Sequence, residues 1–330
     1  MNLLVVGGTR FLGRRIVENA LARKHRVTLF FRGKDGADLF DGQVRRIYGD
    51  RDGDLQRLAA EKFDAVIDTP GYVPRVVRAS AEYLRDKVER YMFISSISAY
   101  DPPAGAQTID EDTNLAKLKD ESVEEITPET YGGLKVLCEN VVNDVYGSDA
   151  TIVRPGYIVG SYDPTDRFTY YPWRMMQGGR MIAGGRKDAP LQIIDARDIA
   201  KFCVTLLERD ADGTFNVCGP DRPYGWEEWL MRAKTALRAG VDLEWFDPQK
   251  LEDAGCKPGA DLPLYNGVDT STDSFMRCDN SKAIARGLTF TPLDDTVRDL
   301  IVWLKSRGSE ALKVGMTLER EQEVFKALQG

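Results

Sequence analysis

This sequence predicts an α/β fold: a parallel sheet, doubly wound by helices on both faces, with a smaller C-terminal lobe. Three observations lead there. Short apolar runs alternate with stretches of helical periodicity up to Gly160. A glycine-rich turn joins the first apolar run to the first helix. A Tyr-x-x-x-Lys pair, Tyr131 and Lys135, follows later on a helix, downstream of Ser95 and Ser96.

Residues 3–6 read as a short buried strand, and Phe11, Leu12, Ile16, Val17 and Ala20 recur at helical spacing. Between them stand Gly7, Gly8 and Gly13. A strand, glycine turn and helix in this order brings backbone N–H groups up to a pyrophosphate and sets its charge at a helix N-terminus. Any tight strand-to-helix turn also uses glycines, so the segment alone leaves both readings open. Arg10, Arg14 and Arg15 oppose the helix macrodipole, which either a bound anion or plain solvation would relieve. Further strands are predicted at residues 27–31, 44–48, 65–68, 91–95 and 150–153, with helices in the intervals. Past Gly160 the alternation gives way to SYDPTDRFTYYPWRMMQGGR, a composition suited to loops of a substrate lobe. The predicted division is residues 1–160 for the dinucleotide-binding domain and 161–330 for the substrate lobe, with segments near 191–219 (residues 191–194 and 214–217) returning to the sheet. A tail helix over residues 317–328 carries Leu318, Val324, Phe325 and Leu328 on one face, for docking on the body or on a partner subunit.

These motifs, together with YMFISSISAY, RPGYIVG from Arg154 to Gly160, IDARDIAKF, FNVCGP and DNSKAIARGLTFTPLDDTVRDLIVWL, occur in the order found in one family. The chain resembles an extended short-chain dehydrogenase/reductase, the group of NAD(P)-dependent epimerases and dehydratases, over nearly its whole length. The family's turn is G-x-x-G-x-x-G; here Arg10 stands at the middle position between Gly7 and Gly13. The resulting GGTRFLG form is similar to an atypical branch that includes chloroplast stem-loop-binding proteins and bacterial isoflavone-reductase-like proteins. The resemblance implies a Rossmann sheet and a catalytic set of Ser96, Tyr131 and Lys135. It implies cofactor contacts from Gly7, Thr9, Arg10, Phe11, Leu12 and Gly13. Asp50 and Arg51 would lie near the adenine, and Thr69, Pro70, Gly71 and Tyr72 along the nicotinamide ribose, with Pro155 in the turn after the sixth strand. Tyr72, Ser98, Arg167, Tyr170, Tyr171 and Arg174 are the expected substrate contacts, for a nucleotide sugar or a related small molecule. The aromatic members of that set are equally suited to packing the lobe against the sheet.

On a helix, Tyr131 and Lys135 lie one turn apart on one face, so the ammonium is expected to lower the phenol's pKa. Tyr131 would then carry the proton that accompanies hydride transfer, Lys135 would hold the nicotinamide ribose, and Ser96 would bond the substrate oxygen. Family dehydratases follow the hydroxyl residue with an Asp-Glu pair. Ile97 and Ser98 stand there instead, which disfavours elimination. What remains is a redox reaction at a secondary alcohol or ketone, or an epimerisation through a transient ketone. For the cofactor, residues 25–32 contain no acid; Phe31 takes the position of the ribose-binding carboxylate and Arg32 follows it. With Arg10 nearby this favours NADP, while an Arg32 that only stacks on adenine would admit NAD as well.

The chain has 330 residues, with 45 Lys and Arg against 52 Asp and Glu and a net charge of −7, so no general basic character recommends a nucleic-acid partner. A nucleic-acid-binding protein on a dehydrogenase scaffold remains the alternative to an enzyme acting on a small-molecule substrate. His25 is the single histidine, which argues against a Ser-His-Asp hydrolase. The five cysteines are scattered without C-x-x-C spacing, so neither a metal site nor a disulfide framework is expected. No apolar run is long enough to span a bilayer, no membrane association is expected, and a cytoplasmic location and a possible homodimer complete the expectations.

Overall fold

The computed structural model describes residues 1–102, 107–308 and 310–329. Seven parallel strands form the central sheet: β1 (Asn2–Val6), β2 (Arg26–Phe31), β3 (Arg45–Tyr48), β4 (Phe63–Asp68), β5 (Val88–Ile94), β6 (Ala150–Pro155) and, much later in the chain, β11 (Gly213–Val217). Their order across the sheet is β11-β6-β5-β4-β1-β2-β3, and every pairing is parallel. The strand order therefore reverses between β1 and β4, and a crevice opens beyond their carboxyl ends, where ligands of doubly wound sheets sit.

Crossover helices cover both faces. On one side lie α1 (Phe11–Ala22) and α5 (Ala196–Glu208), whose Leu12, Ile16, Val17, Ile199, Phe202 and Leu206 share a core with Leu3, Val5 and Leu29. On the other lie α2 (Pro74–Leu84) and α3 (Pro128–Tyr146), whose Val77, Leu84, Val141 and Val142 meet Leu4, Val66, Tyr91 and Phe93. Each fully buried aliphatic or aromatic side chain of these layers contributes about 1.5–3 kcal/mol. The inner strands are buried on both faces and read as largely apolar runs, whereas the edge strand β3, RRIY, is only half-covered.

Residues 191–194 do not return to the sheet. They divide into β9 (Pro190–Leu191), antiparallel to β12 (Tyr224–Gly225), and β10 (Ile193–Asp195), parallel to β7 (Tyr157–Val159), each a two-stranded piece. Gln192 breaks the run because its side chain binds the Cys278 backbone at both ends, 2.8 and 3.0 Å. The C-terminal lobe has its own core, built from α4 (Tyr170–Met176), β8 (Gly179–Gly184), α6 (Trp226–Leu237), β13 (Val241–Trp245), α7 (Pro248–Asp253), α9 (Leu293–Arg307) and α10 (Leu318–Gln329). A short α8 (Ser281–Ala285) packs instead under β11 and the α5 side. In α10, Val324 and Phe325 dock into the lobe core, whereas Leu318 stays exposed. The single histidine, His25, places Nε2 2.9 Å from Glu208. All five cysteines are buried and free. Among the described residues, no helix is long and apolar enough to cross a membrane.

Candidate active site

A cleft of about 680 Å³ runs along the carboxyl ends of β1, β2 and β4 and on to β5 and α3. Its middle is the glycine turn. Gly7 and Gly8 both adopt φ +91°, a conformation L side chains resist, and the Thr69 Oγ1 occupies the place a Gly7 Cβ would need. A Cβ on Gly13 would lie 2.9 Å from the Gly8 nitrogen, so helix and turn touch backbone to backbone. Thr69 closes the switch point by donating to the Val6 carbonyl at 2.8 Å. Phe11 holds φ +33°, rare for a residue with a Cβ. No side chain caps α1, and its first turn holds no acid, so its leading N–H groups remain available to an anion. This backbone cradle fits a dinucleotide pyrophosphate.

One end of the cleft is lined by Arg10, Arg32, Lys34, Asp35 and Asp50. Phe31, the last residue of β2, packs on Tyr48 with ring centres 5.1 Å apart and planes tilted by 45°. Arg32 is exposed and forms no ion pair among the described residues; Arg10 meets Asp35 loosely, at 3.7 Å. Arg14 and Arg15 are not anion ligands, because both guanidiniums close on Glu18 at 2.8 Å. Arg51 borders the cleft, but its guanidinium is turned to the interior: it clamps Asp68 at 2.6 and 2.8 Å and reaches Ser80 at 3.1 Å. Tyr91 adds a third bond to Asp68 at 2.6 Å. Lys34, Asp35 and this Asp68 network went unseen in the sequence.

At the other end stand Tyr72, Tyr131, Lys135 and Pro155. Helix α3 sets their register. Thr127 and Thr130 form a reciprocal cap, Pro128 opens the first turn, and Tyr131 follows within it. Gly132 and Gly133 sit inside the helix, where each costs about 1 kcal/mol against alanine. They are needed because the Ser98 carbonyl and the Leu118 side chain occupy the sites of their missing Cβ atoms. The segment YGGLK carried that signal, and the sequence reading passed over it.

Ser96 caps the short 3₁₀ turn Ile97–Ala99, accepting the Ser98 N–H at 3.1 Å; the cleft itself is lined by its neighbour Ser95 and not by Ser96. Burial raises the Tyr131 pKa above its ordinary value, Tyr72 adds to this, and Ser96 and Arg167 oppose it. Lys135 takes no part in that balance, contrary to expectation. Its ammonium is buried and donates to the carbonyls of Gly71 and Ile94, both at 2.7 Å, beneath the rings of Phe93 and Tyr72. Desolvation brings it down from 10.5 to about 8. Three donors with two occupied leave one N–H for the cleft. Gly71 does not line the cleft; it is buried against Phe93 and serves as a Lys135 acceptor. Ser98 presents its carbonyl to Gly132 rather than a side chain to the cleft. Ile97 is buried with Tyr100, Cys218 and Cys278, away from any reacting group.

One turn beyond Lys135, Glu139 receives Ser95 and clamps Arg154 at 2.9 and 2.5 Å. Tyr131, Lys135 and Glu139 thus form one inward stripe of α3, of which the sequence reading found the first two.

Tyr170, Tyr171 and Arg174 are not substrate contacts. Both tyrosines are fully buried and packed edge-on to one another; Tyr171 also packs against Trp226 and Trp229 and donates to the Pro263 carbonyl at 2.6 Å. Arg174 is locked to Glu321 of α10 at 2.7 Å. Arg167 is half-buried over the Tyr157 ring, 5.2 Å from its centre, and does not line the cleft.

The model of the NAD dependent epimerase/dehydratase family matches residues 3–218. The chain belongs to this family. Chloroplast stem-loop binding protein of 41 kDa b from Arabidopsis thaliana is 28% identical over 238 residues, 66% of this chain and 58% of that protein, so the match spans under two thirds of the relative's length. Among solved structures, the UDP-Glc/GlcNAc 4-epimerase of Campylobacter jejuni superposes with a TM-score of 0.68 at 16% identity, covering 92% of this chain and 99% of its own. The UDP-glucuronic acid 4-epimerase of Bacillus cereus, in complex with NAD, gives 0.65 at 17%, covering 94% and 100%. At such identities these neighbours establish the shared fold. Family membership, the strand order and the glycine cradle agree on a nicotinamide dinucleotide as the group this cleft takes.

Proposed function

We propose that the protein is a nicotinamide-dependent oxidoreductase or epimerase acting at a secondary alcohol or ketone, with Tyr131 as the proton carrier. The observation that carries this reading is that Tyr131 and Lys135 line one end of the same cleft whose middle is the glycine cradle. When bound, the nicotinamide supplies the hydride donor or acceptor. Tyr131 exchanges a proton with the substrate oxygen, and Ser96 bonds the same oxygen and fixes its distance. Lys135 offers its third N–H to a ribose hydroxyl and ties α3 to the ends of β4 and β5. NADP is favoured over NAD by exposed Arg32, with Lys34 and Arg10 on the same wall and no acid at Phe31. Elimination chemistry draws no support, since Ile97 is buried and apolar. Labelled-hydride exchange between NADPH and a panel of ketones and alcohols, run with the unmutated protein and Tyr131→Phe, tests the assignment.

The stem-loop-binding relative favours a second reading, RNA binding on this scaffold. RNA contacts call for unpaired cations along a face. The exposed arginines of α2 are instead neutralised, Arg75 by Asp52 and Glu124, Arg78 by Asp144, and Arg85 by Asp149. Gel shift with structured RNA against NADPH fluorescence titration separates the two readings.

A further inference from the structure

A large apolar side chain exposed singly on an outer surface needs no explanation, but Tyr72 is exposed inside the cleft. It is 41% exposed, and among the described residues no other exposed large apolar side chain lines that cleft. The chain fixes the ring from both sides. Gly71 before it is buried against Phe93 and gives its carbonyl to Lys135 at 2.7 Å, while Val73 caps α2 after it and Pro74 opens that helix. The Lys135 ammonium lies beneath the ring, 5.2 Å from its centre, and the Tyr131 ring flanks it at 6.4 Å with planes 39° apart. Tyr72 therefore stands beside the proton carrier with ring surface uncovered.

We propose that Tyr72 is the stacking wall for a flat, uncharged ring of the substrate, so that the alcohol or ketone presented to Tyr131 is an aryl one. This names the substrate class of the redox reading above and rests on it. The other side chains at this end agree in character. Ile94 and Pro155 end β5 and β6, Ile158 follows in β7, and all three line the cleft. The charge found there, on Lys135, is spent on the carbonyls of Gly71 and Ile94. Arg10, Arg32, Lys34, Asp35 and Asp50 belong to the opposite end, and Arg51 is turned inward onto Asp68. A carboxylate or phosphate beside the reacting carbon would thus lose hydration without gaining a cation. An aromatic ring instead buries apolar area on Tyr72 and pairs with it in a tilted or offset arrangement. The lobe side chains suited to a nucleotide sugar are withdrawn: Tyr170 and Tyr171 are fully buried, Arg174 is held by Glu321, and Arg167 does not line the cleft.

Calorimetric titration of the NADP⁺-loaded full chain with the methyl ketones acetophenone, acetone and pyruvate, and with UDP-glucose, tests this. Cofactor and ketone are then both oxidised, so binding is read without turnover. Acetophenone should bind about tenfold or more tighter than acetone, the gain expected for burying one phenyl ring, and pyruvate should gain nothing from its charge. Tyr72→Ala should weaken acetophenone about tenfold and leave acetone unchanged, with NADP⁺ affinity within about twofold of the unmutated protein. Tyr72→Phe should keep full acetophenone affinity, because the ring makes the contact and the hydroxyl does not. Pyruvate or UDP-glucose binding more tightly than acetophenone, no acetophenone binding at millimolar concentration, or equal acetophenone affinity in Tyr72→Ala and the unmutated protein would each overturn the proposal. So would a Tyr72→Ala variant that loses more affinity for NADP⁺ than for acetophenone, since the ring would then belong to the cofactor. If acetophenone bound through Tyr72 while the unmutated protein exchanged no labelled hydride with any ketone, the redox reading would fail and the aryl subsite would stand.

Discussion

The Lys135 ammonium donates to the carbonyl oxygen of Ile94 at 2.7 Å, fastening α3 to the last residue of β5, two positions before Ser96. The same ammonium holds Gly71, two positions beyond Thr69 of the switch point. One side chain therefore spaces Tyr131, Ser96 and the β4 loop relative to each other. The sequence suggested a charge beside the phenol; the structure makes that charge a brace.

Holding a buried ammonium has a pH signature. Lys135 titrates near 8 in the folded chain against 10.5 when unfolded, because desolvation disfavours its charged form. Between those values the unfolded state binds more protons. Stability from this group is therefore fully present above 10.5 and lost as pH falls through 8, a swing on the order of 3 kcal/mol. Denaturant melts should show the unmutated protein gaining on Lys135→Met from pH 8 to 10. A difference that stays flat or shrinks over that range would contradict the buried-ammonium account.

Asp68 is the second buried charge under the cleft, fully enclosed and bound by Arg51 and Tyr91. Asp68→Asn leaves the Arg51 guanidinium without its counter-charge and should cost about 3–5 kcal/mol. Tyr91→Phe removes one hydrogen bond to the carboxylate and should cost about 1.5–3 kcal/mol. Equal losses in thermal or denaturant melts would mean that hydrogen bonding, and not charge, holds this corner.

The sheet was legible because its inner strands, buried on both faces, are written as largely apolar segments, and the glycine turn because φ +91° at Gly7 and Gly8 admits little else. The spacing of Tyr131 and Lys135 put both on one face of a helix, and both line the cleft; Ser96 was implied only by the resemblance. Burial was not legible. Tyr170, Tyr171 and Arg174 look like ligand-binding side chains in one dimension, and only α10, 147 residues further on, supplies the Glu321 that absorbs Arg174. Lys135 likewise reads as a pKa modulator until the carbonyls of Gly71 and Ile94 claim it. Such assignments depend on long-range partners, which local periodicity does not encode.

Cofactor preference tests the adenosine end. NADP(H) should bind more tightly than NAD(H), and Arg32→Ala should remove most of the difference, roughly tenfold or more for one charged hydrogen bond. Lys34 lines the same wall, so Arg32→Ala/Lys34→Ala should abolish the remainder. Fluorescence titration with both reduced dinucleotides reads this directly. Equal affinities in the unmutated protein would remove NADP as the assignment and leave the cleft intact.

The chemistry itself stands on Tyr131. Tyr131→Phe keeps the ring and its packing near Tyr72, whose ring centre lies 6.4 Å away, while deleting the proton. Fold and dinucleotide affinity should hold, and labelled-hydride exchange should drop by about 10² to 10⁴, the range of general acid–base catalysis. Because burial lifts the phenol above its ordinary value, it remains protonated through neutral pH in the unliganded chain. Ketone reduction, which consumes that proton, should therefore be flat from pH 6 to 8. Alcohol oxidation needs the phenolate and should rise about tenfold per pH unit over the same range. The rise in oxidation should vanish with the hydroxyl. An oxidation rate independent of pH, or undiminished exchange in Tyr131→Phe on a confirmed substrate, would assign the proton to another group.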